Sequence, residues 1–303
     1  MFDKVLVPLD GSELAEGSLD PALAIVRRPG GEVILLHIPI FRPVMVPGTA
    51  GYGLVLPEQA FDLKNRDEIQ IYLEGIKQTR QEPDFSIRIK VLEGDVAGNI
   101  VDLAVEEEVD LIVMTTHGYS GFTRWMLGSI TERVLRNAPC PVLVVRCADT
   151  LNRVVIPLDG SRLAEQALEP GLEVARQLGG RVTLLRVDDG SGLSTVDRGM
   201  LDIAHHGLSQ QIDPETGGDA VHYLENVAQR YRTPSLEIDT AVVTGSPAQG
   251  ILEYVEANQI DLIVMATHGR TGIRRWVYGS VTEKCLHNTA CAMLIVRPPA
   301  DQS

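Results

Sequence analysis

Residues 110–146 read DLIVMTTHGYSGFTRWMLGSITERVLRNAPCPVLVVR, and residues 261–297 repeat the stretch as DLIVMATHGRTGIRRWVYGSVTEKCLHNTACAMLIVR. A duplication of this kind constrains the fold more than composition does, because each copy must belong to a unit that closes its own core. The 303 residues then divide into two units of roughly 150 each, a size that buries about 68–70% of its unfolded surface. Lys4 recurs as Arg153, 149 residues on, and Asp110 as Asp261, 151 residues on, so the second unit gains two residues net between those points. Domains are expected at 1–148 and 149–303.

In each copy an apolar run ends in Thr-His-Gly, a loop with further glycines follows, and a helix opens with Gly-Ser. N–H groups at a helix start are unpaired and partially positive, and glycine puts no Cβ in an anion's way. The layout predicts a phosphate cradle at Gly128-Ser129 and at Gly279-Ser280. Ser-Ile-Thr-Glu and Ser-Val-Thr-Glu also fit a capping box, in which Ser129 and Ser280 cap their helices and Glu132 and Glu283 stand third. What favours the cradle is the loop: nine residues separate Gly118 from Gly128, and nine separate Gly269 from Gly279.

Apolar runs at 4–8 and 153–157 each continue into Leu-Asp-Gly-Ser. Further strands are expected at 32–38, 86–92, 111–115 and 142–146, and at 181–187, 236–243, 262–266 and 293–297, with helical spacing between them. Strands alternating with helices imply an α/β fold with parallel sheets, right-handed crossovers and helices on both faces. With strand order 3-2-1-4-5 the ligand crevice opens between strands 1 and 4, which carry the Leu-Asp-Gly-Ser and Thr-His-Gly signals. Pro21 and Pro170, at matching positions, are expected to bend or restart the first helices. Residues 39–57 and 188–199 read as irregular flaps, and 213–219 (DPETGGD) as a helix break.

Acidic residues outnumber basic ones 41 to 27, and the net charge of −14 argues against nucleic acid or an anionic membrane as partner. No apolar run approaches the ~18 residues of a membrane span, and the start shows no leader pattern, so the expected location is cytoplasmic. Cys140, Cys147, Cys285 and Cys291 lack zinc spacing. Cys140 and Cys291 fall at matching positions and read as buried, reduced thiols.

The arrangement resembles the universal stress protein family in its tandem two-domain form, whose ATP-binding members carry Gly-x2-Gly-x9-Gly-Ser/Thr between strand 4 and helix 4. The likeness covers essentially the whole chain. It implies two tandem Rossmann-like domains, each a five-stranded parallel sheet of order 3-2-1-4-5, paired through their last strands. It also implies ATP as ligand, with or without Mg2+, an unidentified protein partner, and a homodimer built on the internal pseudo-dimer. By position, Asp10 and Asp159 would meet the adenine edge beside Pro8 and Pro157, and Ile38, Met114, Val187 and Met265 would line the adenine pocket. Gly118 and Gly269 would let the backbone approach ribose and phosphates. Gly128, Ser129, Gly279 and Ser280 would hold the phosphates, with Ile130 and Val281 adding the next amide.

Both copies depart from the family pattern at its first glycine, which is Thr115 in one and Ala266 in the other. Threonine adds more bulk than alanine, and the second loop carries Arg270, Arg274 and Arg275 where the first has Tyr119, Thr123 and Arg124. Tighter binding is therefore expected in the second half. His117 and His268 read as hydrogen-bonding supports of the turn, since no acid or nucleophile is placed beside them. Asp202 and His206, with His205, occur in one half and read as a solvated helix face; Trp125 and Trp276 read as loop anchors.

No Gly-x4-Gly-Lys-Ser/Thr is present, and the turn after the first strand is not Gly-x-Gly-x-x-Gly. Those absences argue against a P-loop motor and a nicotinamide dehydrogenase. Three functions stay open: a nucleotide-dependent regulator with at most slow hydrolysis, an ATPase or nucleotidyl-transfer enzyme using Asp10 and Asp159, and a dimerising scaffold without nucleotide.

Overall fold

The computed structural model describes residues 2–39, 44–48, 51–55, 63–116, 127–146, 151–189, 220–267 and 279–297. In the first half the strands are β1 (Lys4–Leu9), β2 (Gly31–His37), β3 (Val44–Gly48), β4 (Gly51–Val55), β5 (Phe85–Val91), β6 (Leu111–Thr115) and β7 (Val142–Val145). In the second they are β8 (Arg153–Pro157), β9 (Arg181–Asp188), β10 (Ile238–Thr244), β11 (Leu262–Ala266) and β12 (Ala292–Val296). Ten of them form one sheet in the order β10-β9-β8-β11-β12-β7-β6-β1-β2-β5. Each half thus has the order 3-2-1-4-5 and is parallel throughout.

The halves meet where β7 and β12 pair antiparallel, with Val144 opposite Met293, Leu143 opposite Leu294 and Val142 opposite Ile295. These residues are buried on both faces of the sheet, which explains the unbroken apolar runs. Strand residues alternate between two core layers. Val5, Val7, Leu111, Val113 and Leu143 join the layer under helices Leu19–Val26, Leu63–Arg80, Leu168–Leu178 and Ala220–Tyr231. Leu6, Ile112, Met114 and Val144 join the layer under helices Val96–Glu106, Ser129–Asn137, Pro247–Ala257 and Ser280–Asn288. Both layers run continuously through the two halves.

Side chains reinforce this junction. Arg146, buried at the end of β7, donates to the Leu286 carbonyl near the end of helix Ser280–Asn288. In return Arg297 donates to the carbonyls of Arg136 (3.0 Å) and Ala138 (2.5 Å) at the end of helix Ser129–Asn137. A cation at a helix C-terminus meets unpaired carbonyls and the negative end of the dipole. Arg28 also bridges the halves, 2.7 Å from Asp3 and 3.3 Å from Glu173.

Pro21 and Pro170 restart their helices rather than bend them. A short helix Glu13–Glu16 stops and Leu19–Val26 begins; likewise Arg162–Glu165 stops and Leu168–Leu178 begins. Each proline is third in the new helix, where an N–H needs no intrahelical acceptor. Leu14, in the short helix before the break, is 40% exposed.

Residues 44–48 and 51–55 form an antiparallel hairpin, with Val44 opposite Val55 and Gly48 opposite Gly51, where an irregular flap was expected. Two residues separate the strands in sequence, as tight hairpins require. The expected break at 213–219 and the flap beyond residue 189 lie outside the described residues. Among the described residues no helix is long and apolar enough to cross a membrane. Cys140, Cys285 and Cys291 are free thiols; burial pushes Cys140 and Cys285 up to about 12.

Candidate functional site

Each half has a cavity at the carboxyl ends of its first, second and fourth strands, where the strand order reverses. The first measures about 140 Å³ and the second about 340 Å³. The turn after strand 1 builds one wall. Gly11 (φ 83°) and Gly160 (φ 89°) adopt left-handed backbone that glycine tolerates without strain. That turn folds Asp10 back, so that its Oδ1 accepts from the Ser12 amide at 3.0 Å and the Ser12 hydroxyl at 2.6 Å. Asp159 Oδ1 accepts from the Ser161 amide at 2.9 Å. Ser12 and Ser161 then cap the short helices, each accepting from an amide three residues on at 3.1 Å. Asp-Gly-Ser is therefore a self-supporting turn that fixes one carboxylate at each cavity rim.

The opposite wall is the start of the fourth helix, and here the capping-box expectation fails. Gly128 and Gly279 are the N-caps, neither helix has a side-chain cap bond, and Ser129 and Ser280 are first helical residues. Glu132 and Glu283 thus stand fourth, not third. In the first half the cap position admits only glycine, since a Cβ on Gly128 would lie 2.4 Å from the Thr116 carbonyl oxygen. Instead the Gly128 amide donates to that oxygen at 2.9 Å. Thr131 Oγ1 donates to the carbonyls of Thr115 (3.0 Å) and Thr116 (3.3 Å), tying the helix to the end of β6.

The first bonds of these helices run from Glu132 to the Gly128 carbonyl (2.9 Å) and from Glu283 to the Gly279 carbonyl (3.0 Å). The amides of Ser129, Ile130 and Thr131, and of Ser280, Val281 and Thr282, have no acceptor among the described residues. Three unpaired donors at the positive end of a helix are a ready site for an anion. Glu132 pairs with Arg136 one turn on.

The first cavity brings together Pro8, Asp10, Ile38, Met114, Thr115, Gly128, Ser129 and Ile130. The second brings together Pro157, Asp159, Val187, Met265, Ala266, Gly279, Ser280 and Val281. Gly118, Gly269, His117, His268, both tryptophans, the loop arginines, Asp202, His205 and His206 lie outside the described residues. The structure adds walls that sequence reasoning missed, Val96 and Ile100 in the first half and Pro247 and Ile251 in the second. Their signal was present in the caps Asp95 and Ser246, which aim those helix starts at the same strand ends. Asp95 accepts from the Gly98 amide at 2.8 Å and from both terminal nitrogens of Arg133 at 2.8 and 2.6 Å. Arg133 first, then the Gly98 amide, holds its carboxyl below the usual range.

Behind the first cavity, at the end of β2, lies His37. Burial lowers its pKa against the opposing pull of the Asp10 charge and a backbone contact at Leu9. Arg186 takes the matching position on β9 and stacks 5.5 Å over the Tyr223 ring. Tyr223 donates to Glu165, and Tyr72 to Glu16, both at 2.9 Å.

Two parallel α/β units, joined edge to edge and each with an apolar crevice ending at free helix amides, define the class: a doubled doubly wound protein with a site at each switch point. The profile of the Universal stress protein family matches residues 1–146 and again 150–297. Universal stress protein MJ0577 of Methanocaldococcus jannaschii is 34% identical over 155 residues, covering 48% of this chain and 96% of its own. Universal stress protein Slr1230 of Synechocystis sp. is 26% identical over 310 residues, covering 97% of this chain and 99% of its own. The crystal structure of a universal stress protein from Archaeoglobus fulgidus superimposes with a TM-score of 0.68 at 19% identity, covering 98% and 99% of the two chains. That last likeness concerns the fold. The chain belongs to the universal stress protein family, in tandem form.

Proposed function

We propose that this protein binds ATP at both crevices, more tightly in the second half, and acts as a stress-response regulator whose conformation or choice of protein partner follows nucleotide occupancy. The observation that carries the reading is the same in each half: an apolar pocket, fit for a flat base, leads to three main-chain amides that lack acceptors among the described residues. Two or three charge-assisted bonds to a phosphate contribute about 1.5–3 kcal/mol each before ordering costs. In this reading Asp10 and Asp159 meet the adenine edge, Ile38, Met114, Val187 and Met265 face the base, and the Gly-Ser pairs hold phosphate. Gly118 and Gly269 approach the ribose.

The rank of the two sites rests on Ala266 in place of Thr115 and on the larger second cavity, which falls within the range of about 300–1,000 Å³ common for ligand sites. Mg2+ enters as the counter-ion of the triphosphate. Hydrolysis is slow at most, because Asp10 and Asp159 spend one oxygen each on their own turns. Residues 1–148 and 149–303 are the two functional repeats, working in the cytoplasm where ATP is plentiful. A homodimer of this chain must use a surface other than the last strands, since β7 and β12 each have neighbours on both sides.

Native mass spectrometry of gently purified protein tests this directly. The expected spectrum shows one or two ATP masses per chain, the more weakly held ATP being lost first on dilution, and also reports the oligomer. Protein that stays free of nucleotide in excess Mg-ATP would leave the fold standing and remove the function.

A further inference from the structure

At the amino end of its own strands, away from its own crevice, each half is built differently. In the first half an ionic lattice ties the amino ends of β1 and β2 to the middle of β5 and to the end of helix Val96–Glu106. Arg88 contacts Glu32 at 2.9 Å and Glu107 at 2.7 Å, Lys90 contacts Glu107 at 3.1 Å, and Lys4 lies 3.9 Å from Glu32. Strand register identifies the counterparts in the second half. Lys4 pairs with Glu32 across β1 and β2, and Arg153 with Arg181 across β8 and β9. Ile34 pairs with Arg88, and Thr183 with Asp239.

The second half therefore sets two arginines opposite each other where the first has an opposite-charge pair, and a carboxylate where the first has a guanidinium. Asn258 stands 151 residues after Glu107, so no carboxylate occupies that corner. The lattice cannot form, and a cleft of about 530 Å³ opens over Arg153, Arg181, Thr183, Asp239, Tyr254 and Asn258.

Like charges facing each other across neighbouring strands destabilise a sheet. Glu237 offsets Arg181 at 3.1 Å, but both side chains are 61% exposed, so the offset is small. Arg153 donates to the Asn258 carbonyl at 3.2 Å and to Gln259 Oε1 at 3.1 Å, both neutral acceptors. Among the described residues no carboxylate lies within 4 Å of its guanidinium, no cation lies within 4 Å of the Asp239 carboxylate, and the Tyr254 hydroxyl has no hydrogen bond. Thr183 forms part of the buried floor.

We propose that this cleft is a second ligand site, distinct from the nucleotide crevices, for a small zwitterion of the amino-acid class. Its carboxylate lies between Arg153 and Arg181, its ammonium group faces Asp239, and its side chain covers Tyr254. Such a ligand supplies to the second half the alternating charges that the first half provides from its own side chains. Arginine suits the carboxylate end because its planar fork matches carboxylate geometry. The site does not depend on ATP binding.

The test uses the full chain and a panel of the twenty proteinogenic amino acids in a thermal-shift screen, since a ligand that binds the folded state raises Tm. The strongest is then titrated by calorimetry, beside its N-acetyl derivative, which lacks the ammonium charge, and its primary amide, which lacks the carboxylate. Arg153→Gln and Asp239→Asn are exposed changes expected to fold normally, and each should weaken binding about tenfold. The two derivatives should weaken by a similar factor. Lack of binding by every amino acid at about 10 mM, the weak end of ligand affinities, overturns the proposal. So does an N-acetyl derivative that binds as well as its parent, or binding unchanged in both variants.

Discussion

The first crevice measures about 140 Å³ and the second about 340 Å³, although one repeat builds both on the same strand order. Backbone devices are held in common: the left-handed glycine after strand 1, the Asp-to-Ser turn, the glycine N-cap and the free amides. What differs is the walls. Thr115 becomes Ala266, Val96 becomes Pro247, and the Asp95–Arg133 bidentate pair that joins two wall helices has Ser246 and Lys284 at the matching positions. After duplication, main-chain geometry that the fold needs is kept while side chains around the opening diverge. The same contrast recurs at the amino ends of the strands, where the first half has an ionic lattice and the second an open cleft.

Four experiments break or sharpen this contrast. The largest effect concerns what the halves share. Leu143 is fully buried opposite Leu294, so Leu143→Ala should cost about 2–5 kcal/mol. Because both core layers cross the junction, denaturant melts should show one transition for the whole chain; two separate transitions would mean that the halves are energetically independent.

Next comes the ranking of the crevices. A carboxylate at the first helical position repels phosphate, so Ser280→Asp should weaken ATP binding by tenfold or more, on the order of 1.4 kcal/mol. Ser129→Asp should leave the tighter phase of the titration unchanged. The reverse outcome in calorimetry makes the first half the stronger site.

A smaller effect separates the halves by pH. Arg88 first, then Lys90, holds the Glu107 carboxyl at about 2, against an ordinary 4.5. A depressed carboxylate pKa gives stability that is fully present above the unfolded value and is lost as pH falls from about 4.5 toward 2. For this surface lattice the contribution is about 1 kcal/mol after solvent screening. Glu107→Gln should lose it at pH 7 and nothing near pH 2, measured by urea melts at both values. Asn258→Gln, at the matching corner, should show no such pH dependence. The smallest effect is local: Thr115→Ala copies the second half's residue into the first and should raise ATP affinity there about threefold.

Much of the fold was legible because its signals are local and doubled. Continuous apolar runs such as 111–115 and 262–266 required burial on both faces, and helices between them required parallel pairing. Strand order located the crevice between strands 1 and 4, whereas the individual lining residues, such as Ile38 and Met265, were legible only through the family resemblance. Three features were not. The N-cap at Gly128 rather than Ser129 was hidden because the contact that holds Gly128, its amide to the Thr116 carbonyl, comes from twelve residues away in sequence and exists only once folded. Hairpin β3–β4 was hidden by glycine and proline within its strands, which weaken the strand pattern. The lattice around Arg88 joins four separate elements, and only the register reveals that its counterparts in the second half cannot close.

The antiparallel seam between β7 and β12 carries a geometric consequence. It turns the second half end for end, so the two mouths look out from opposite poles of the molecule. No single small molecule spans them, and a flat surface laid against one pole leaves the other in open solvent.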